Sequence, residues 1–385
     1  MMARSHRLAL GALVLTWAAH AASAAGPGHV TVTSSAYGKT ASGQAVDQYT
    51  FVNRAGVVLK VITYGGIVTT LDVPDRNGHL QDIVLGFDSL ADYERRNDKL
   101  YFGALVGRYA NRLRGDRLRI DGREYRLRAN EGANTVHGGP HGFDTRVWVA
   151  KDVRNDRHSA SVTLEYVSAD GENGFPGTLT VDVSYTLTDR NEVRIEYRAK
   201  TDRDTVVNLT NHTYFNLDGQ GSGSVEPQTV EIAASRYTPT DAQLIPTGEI
   251  ASVAGTVLDL REPVAIGARL RSASQQLANG GGYDVNYVLD NGGRREPGFA
   301  ARAYDPQSGR VLEIDTTQPG LQFYTGNALH GRVPGKGGVL YRQTDGFALE
   351  PEHFPDSPHH PSFPDTLLKP GESFYEVTIW RFETR

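Results

Sequence analysis

The chain has no cysteine among its 385 residues. That excludes disulfides, thiolate metal sites and cysteine nucleophiles together. It does not exclude export, because a core of this size is stable without covalent staples. An excess of positive charge is also missing. Forty Lys and Arg stand against 45 Asp and Glu, for a formal net charge of -5. The arginines are interleaved with acids rather than clustered, so no face is suited to a nucleic-acid backbone. Helical periodicity is scarce and confined to Ser89–Asn97, which Ser89 is placed to cap. Metal spacings are absent as well. There is no HExxH, and His359-His360 between prolines reads as an exposed loop pair. No metal and no cofactor are expected.

Residues 1–24 stand apart. Arg4, His6 and Arg7 open the chain, Leu8–Ala19 is apolar except for Thr16, and Ala22-Ser23-Ala24 offers small residues at an A-x-A cleavage site. This is the layout of a secretory signal peptide. The apolar run is short for a membrane anchor. The mature chain is expected to be residues 25–385, one domain, periplasmic or secreted, with no further membrane-crossing stretch.

What remains is rich in strand signals. Ser161–Val167 and Leu179–Leu187 alternate apolar and polar residues. Val193–Arg198 follows after Asp189-Arg190-Asn191, which predicts an antiparallel hairpin. Asp75-Arg76-Asn77-Gly78 predicts a second turn, between Val73 and Ile83-Val84-Leu85, and Tyr375–Phe382 a last strand. Gly280-Gly281-Gly282 reads as a turn. With 42 Gly and 18 Pro punctuating short strands, the class is all-β, a large sandwich or barrel.

An all-β enzyme without cysteine works with His, carboxylates, Arg or a metal. Two of the 12 histidines lie in strings that a packed core would not choose. His137 precedes Gly138-Gly139, which let the backbone turn sharply and approach a ligand. His212 lies in Asn208–Leu217, where alternation puts it on one strand face with Asn208, Thr210, Tyr214 and Asn216. That face is a row of donors and acceptors. Glu350 follows Phe347-Ala348-Leu349, and a carboxylate leaving a core strand is partly desolvated, which raises its pKa towards values useful for a general base. Asp284, in Gly282–Tyr287, is a second candidate acid.

These motifs resemble the aldose 1-epimerase (galactose mutarotase) family. Gly107-Arg108-Tyr109-Ala110-Asn111-Arg112 resembles its Asn-Arg motif, and His137-Gly138-Gly139 its first His motif. Asp170–Gly177 resembles an acidic Gly-Pro loop, and Asn211–Leu217 the second His motif. Gln318–Asn327 and Leu349-Glu350 complete the order. The resemblance spans nearly the whole mature chain. It implies a large antiparallel β-sandwich, with a small-molecule aldose as partner. It implies Glu350 as general base, His212 as general acid in its imidazolium form and His137 as an assistant near the ring oxygen. Asn111, Arg112, Asp284 and Gln322 would hold sugar hydroxyls. One departure stands out: many members carry Thr-Gln where this chain has Pro351-Glu352.

The implied chemistry suits these residue types. Ring opening takes a proton from the C1 hydroxyl and gives one to the ring oxygen, after which the aldehyde rotates and recloses. Three other readings compete. A glycoside hydrolase would pair Asp284 with Glu350 about 5–10 Å apart and would leave His212 without a role. A sugar-binding module would need no acid and base. A relative acting on hexose 6-phosphates would need extra cationic groups.

Overall fold

The computed structural model describes residues 28–385. The leader expected at residues 1–24 lies outside the described residues. Among those described, no helix is long and apolar enough to cross a membrane.

The alternating runs form the strands they predict. Leu179–Thr188 and Glu192–Thr201 pair in antiparallel register, Leu187 opposite Val193. Their turn uses Asn191 at φ +58°, a left-handed conformation that Asn tolerates. Asp75 closes the other predicted turn, its Oδ1 accepting from the Asn77 and His79 amides at 2.8 and 2.9 Å. The strand after that turn is Leu80–Asp82, earlier than expected. Asp82 Oδ1 takes the Leu71 and Val84 amides at 3.0 and 3.2 Å, so its side chain ends the ladder. Ser89 does cap Leu90–Arg96, accepting from the Asp92 amide. Two helices went unpredicted, Ile266–Leu270 and Gln275–Gly280. They are too short to show a period. Gly281, at φ +68°, caps the second and turns the chain into the strand Asp284–Val288.

Every strand pair within the sheets is antiparallel. A nine-stranded sheet carries the Leu179–Thr201 hairpin beside Phe374–Thr384. A six-stranded sheet runs Tyr214–Phe215, Phe347–Glu352, Gly320–Tyr324, Asp284–Val288, Arg236–Tyr237, Ala251–Ser252. A five-stranded sheet is built from the first 55 residues described. One apolar cluster joins all three, including Val183, Ile195, Trp380, Phe323, Phe347 and Leu349. Phe215 meets Trp380 edge-on at 5.1 Å, and such a contact adds about 0.5–1.5 kcal/mol beyond area burial.

The six-stranded sheet positions the chemistry, because residues alternate across it. Val285, Tyr287, Leu321, Phe323, Phe347 and Leu349 enter the apolar cluster. Their neighbours Asp284, Gln322, Tyr324 and Glu350 line a cavity on the other side.

The segment Asn208–Leu217 departs from expectation. It is not one strand. Thr210–Asn211 pairs with Leu105–Val106, Tyr214–Phe215 with Phe347-Ala348, and His212-Thr213 falls between. The His212 amide donates to Ala104 O at 2.9 Å and its carbonyl accepts from Gly103 at 3.0 Å, so the chain crosses from one sheet to another there. The predicted polar row is therefore broken. Asn208 clamps Ala110 O and His353 O, Thr210 donates to Pro351 O, and Asn216 holds Gly223 O and Asp345 O. Only His212 and Tyr214 of the five line the cavity.

Candidate active site

The cavity measures about 400 Å³ and all seven residues singled out in the sequence line it: Asn111, Arg112, His137, His212, Asp284, Gln322 and Glu350. Gln322 lies opposite both Asn286 and Glu350 in the ladder; Gln322 and Glu350 face the cavity, while Asn286 is turned to Thr238, donating to its hydroxyl at 3.1 Å.

Glu350 is 2% exposed and His212 5%. His212 Nε2 stands 3.6 Å from Glu350 Oε2. Burial pushes the Glu350 carboxyl well above its ordinary range; the charges of Glu352 and Asp284 push the same way and Arg112 pulls back. Burial drives the His212 imidazole down to about 4. Both groups are thus pressed towards neutrality. The imidazolium expected from the sequence is not the resting form, because no buried anion compensates for the lost hydration of His212. Burial instead favours a neutral pair, with the proton on Glu350. His212 is braced by Tyr214, stacked at 5.0 Å, and by Tyr101 at 5.7 Å.

His137 is set differently. Its φ is +50°, and Gly138 follows at +85°. A Cβ on Gly138 would lie 2.1 Å from Gly107 O, so the close approach requires glycine. The Asn111 amide donates to His137 Nδ1 at 3.2 Å, which leaves the ring proton on Nε2. Burial, then His212 and Arg112, hold His137 well below its usual pKa. The ring is a neutral donor. The acidic Gly-Pro loop serves as its brace. Asn173 donates to Gly138 O and His141 O at 2.9 and 2.8 Å, while buried Arg108 fastens Pro176 O and Gly177 O at 2.7 and 2.8 Å.

Arg112 is both wall and ion pair. Its guanidinium reaches Glu131 at 2.7 and 3.0 Å and Asp284 Oδ2 at 3.5 Å. Gln322 Nε2 donates to Asp284 Oδ1 at 2.5 Å. Asp284 is raised by burial and held back by Arg112. Among the described residues no cluster of three or more His, Asp or Glu is arranged for a metal ion.

Sequence reasoning missed Tyr101, Tyr324 and Glu131 in the lining, and Glu352 just behind it. Tyr324 and Glu352 were within reach, each two residues from a chosen one on the same strand face. Tyr101 carried no signal, since it enters the site from a turn at φ +54°.

The family model for aldose 1-epimerase matches residues 47–381. Galactose mutarotase of Bos taurus is 44% identical over 353 residues, covering 92% of this chain and 99% of the relative. Aldose 1-epimerase of Escherichia coli (strain K12) is 38% identical over 342 residues, covering 88% and 96%. Among solved structures, galactose 1-epimerase from Lactobacillus acidophilus NCFM superposes with a TM-score of 0.80 at 28% identity, covering 92% of this chain and 99% of that one.

Proposed function

The chain belongs to the aldose 1-epimerase family, and we propose that it interconverts the α and β anomers of free aldohexoses, galactose and glucose among them, with Glu350 as general base and His212 as general acid. The observation that carries this reading is the buried His212–Glu350 pair, 3.6 Å apart at the floor of a polar cavity. In the productive form the shared proton sits on His212. Glu350 takes the C1 hydroxyl proton while His212 protonates the ring oxygen, which breaks the C1–O5 bond. The products of that step, a neutral carboxyl and a neutral imidazole, are the forms that burial favours. The aldehyde then turns about C1–C2 and recloses with the transfers reversed, returning the proton to His212. His137, through Nε2–H, donates a hydrogen bond near the ring oxygen, and Asn111, Arg112, Asp284 and Gln322 hold hydroxyls. General acid–base catalysis of about 10²–10⁴-fold per group is the right scale for a reaction that already proceeds in water.

The test is the decay of optical rotation of fresh α-galactose. Glu350→Gln should abolish the enzyme's acceleration while the protein stays folded by circular dichroism. A folded, active variant would sink the assignment. A glycosidase reading is less well supported, because Asp284 is already committed to Arg112 and Gln322.

The same proposal extends to location. Residues 1–24 serve as an export signal and residues 25–385 act as one catalytic domain in the periplasm or outside the cell. A mature N-terminus at Ala25, read from protein recovered from the periplasmic fraction or the medium, would support this. A retained Met1 would overturn it.

A further inference from the structure

Glu352 is fully buried, with 0% of its surface exposed. It follows Glu350 by two residues on the same strand and so shares its face of the sheet. Its Oε1 accepts from Asn111 Nδ2 at 2.8 Å, while its Oε2 finds no donor among the described residues. The neighbouring row has the same shortage. Asn286 Oδ1 and Gln322 Oε1 are buried acceptors that also lack a protein donor, and Glu350 Oε2 has no hydrogen-bond partner either. On this face acceptors outnumber donors. The groups that could balance a charge on Glu352 are few. Glu350 on its own strand and Asp284 from two strands away are both acidic. Arg112 is shared between Glu131 and Asp284. The strand Gly320–Tyr324 sets only Gly320 opposite Glu352, and Thr210 reaches the adjacent Pro351 carbonyl. A buried carboxylate with one hydrogen bond, whose nearest cation is an Arg112 already bonded to two other acids, is costly, whereas a carboxylic acid supplies the missing donor.

What Glu352 holds matters to the site. Asn111 lies at φ +60°. Its Oδ1 accepts from the Arg112 amide at 2.9 Å, its own amide fixes His137 Nδ1, and its carbonyl accepts from the His137 amide at 3.0 Å. Among the described residues the Asn111 side chain is the one hydrogen-bonded link from Glu352 to this knot, and Asn111 lines the cavity.

We propose that Glu352 is a positioning residue that works as a neutral carboxylic acid, fixing the Asn111 amide and, through it, Arg112 and His137. The role in turnover rests on the epimerase reading above; the protonation does not. Burial, strengthened by Asp284, raises Glu352 to about 8, against the pull of Asn111 and Arg112, which agrees with an acid at neutral pH.

The test is Glu352→Gln, which keeps an acceptor for Asn111 and a donor in place of the acid proton but cannot ionise. A carboxyl raised in the folded state gives stability at low pH that is lost as pH rises through its folded value. The melting temperature of wild type should therefore fall relative to the variant from about pH 4.5 to about 8 and run parallel above it. A difference independent of pH would overturn the proposal. At pH 6.5 the variant should keep kcat and KM within about twofold. Loss of most activity would mean that the carboxylate itself is needed, and would also overturn it. Glu352→Ala should raise KM about tenfold with a smaller change in kcat; an unchanged KM would remove the positioning role. If instead Glu350→Gln proves active, the epimerase mechanism fails while the pH-linked melting difference stands.

Discussion

The two faces of the six-stranded sheet are made from the same strands and behave as different materials. Leu321, Phe323, Phe347 and Leu349 on one face are at most 1% exposed and pack against Trp380 and its neighbours. Gln322, Glu350 and Glu352 on the other are no more than 4% exposed, yet retain unpaired oxygens. Burial is equal; satisfaction is not. The apolar face is finished by folding, and the polar face is left short of donors, which a hydroxyl-rich substrate supplies to Gln322 and Glu350, the two of the three that line the cavity. An unsatisfied buried acceptor costs about 1–3 kcal/mol. The apolar face is what makes that cost bearable.

The sharpest way to break this comparison is to exchange the kinds of damage across adjacent positions. Glu350→Gln should lower kcat by about 10²–10⁴-fold and leave the melting temperature unchanged or higher, since it removes an ionisable group from a dry site. Polarimetry and calorimetry on one preparation check both halves. Phe323→Ala, on the neighbouring strand and opposite face, should cost about 3–5 kcal/mol of stability through cavity formation. Its kcat per folded molecule should stay near wild type, because the Gly320–Tyr324 strand remains pinned on both sides. Denaturant titration with active-site counting checks it. If Phe323→Ala silences the folded enzyme, the faces are not separable.

This division was largely legible in the sequence. The run Phe347-Ala348-Leu349-Glu350 announces a strand that leaves the core with a carboxylate, and all seven chosen side chains do converge. The error at Asn208–Leu217 has a definite cause. Alternation reads side-chain direction only while a strand continues, and main-chain bonds of His212 to Ala104 and Gly103 interrupt it. Protonation was the other gap. A sequence gives the residue types but not how dry the site is, and the dryness sets His212 near 4 rather than near its ordinary 6.5.

The histidines sharpen the polar side of the comparison. A pair that holds one proton is productive between two limbs. On the acid side it takes up a second proton at His212, near pH 4. On the alkaline side it loses its only proton, from a Glu350 raised well above 4.5. The profile of kcat/KM should be a wide bell whose limbs belong to the pair. His212→Asn should lower the rate by about 10²-fold and turn the bell into a single rise, because Glu350 alone must then be ionised. His137→Asn should weaken activity and keep the bell. If His137→Asn loses the alkaline limb and His212→Asn keeps it, the acid is the other histidine.

Arg112 carries the smallest and most diagnostic effect. Its guanidinium is the cation that holds down Glu350, Glu352 and Asp284, and it also faces the substrate space. A purely structural ion pair with Glu131 would affect folding and nothing else. A wall of the site would affect KM. A counter-charge to three buried carboxyls would, in addition, move the pH profile. Arg112→Ala removes hydrogen bonds to charged groups worth about 1.5–3 kcal/mol, so KM should rise about 10–100-fold. Without the cation the three carboxyls all shift upward, and the alkaline limb of kcat/KM should move to higher pH. Arg112→Lys keeps the charge but not the two-pronged grip on Glu131. It should restore the position of that limb while leaving KM raised. If both variants match wild type in KM and in the pH profile, Arg112 is only a strut, and the polar face discriminates its ligand without it.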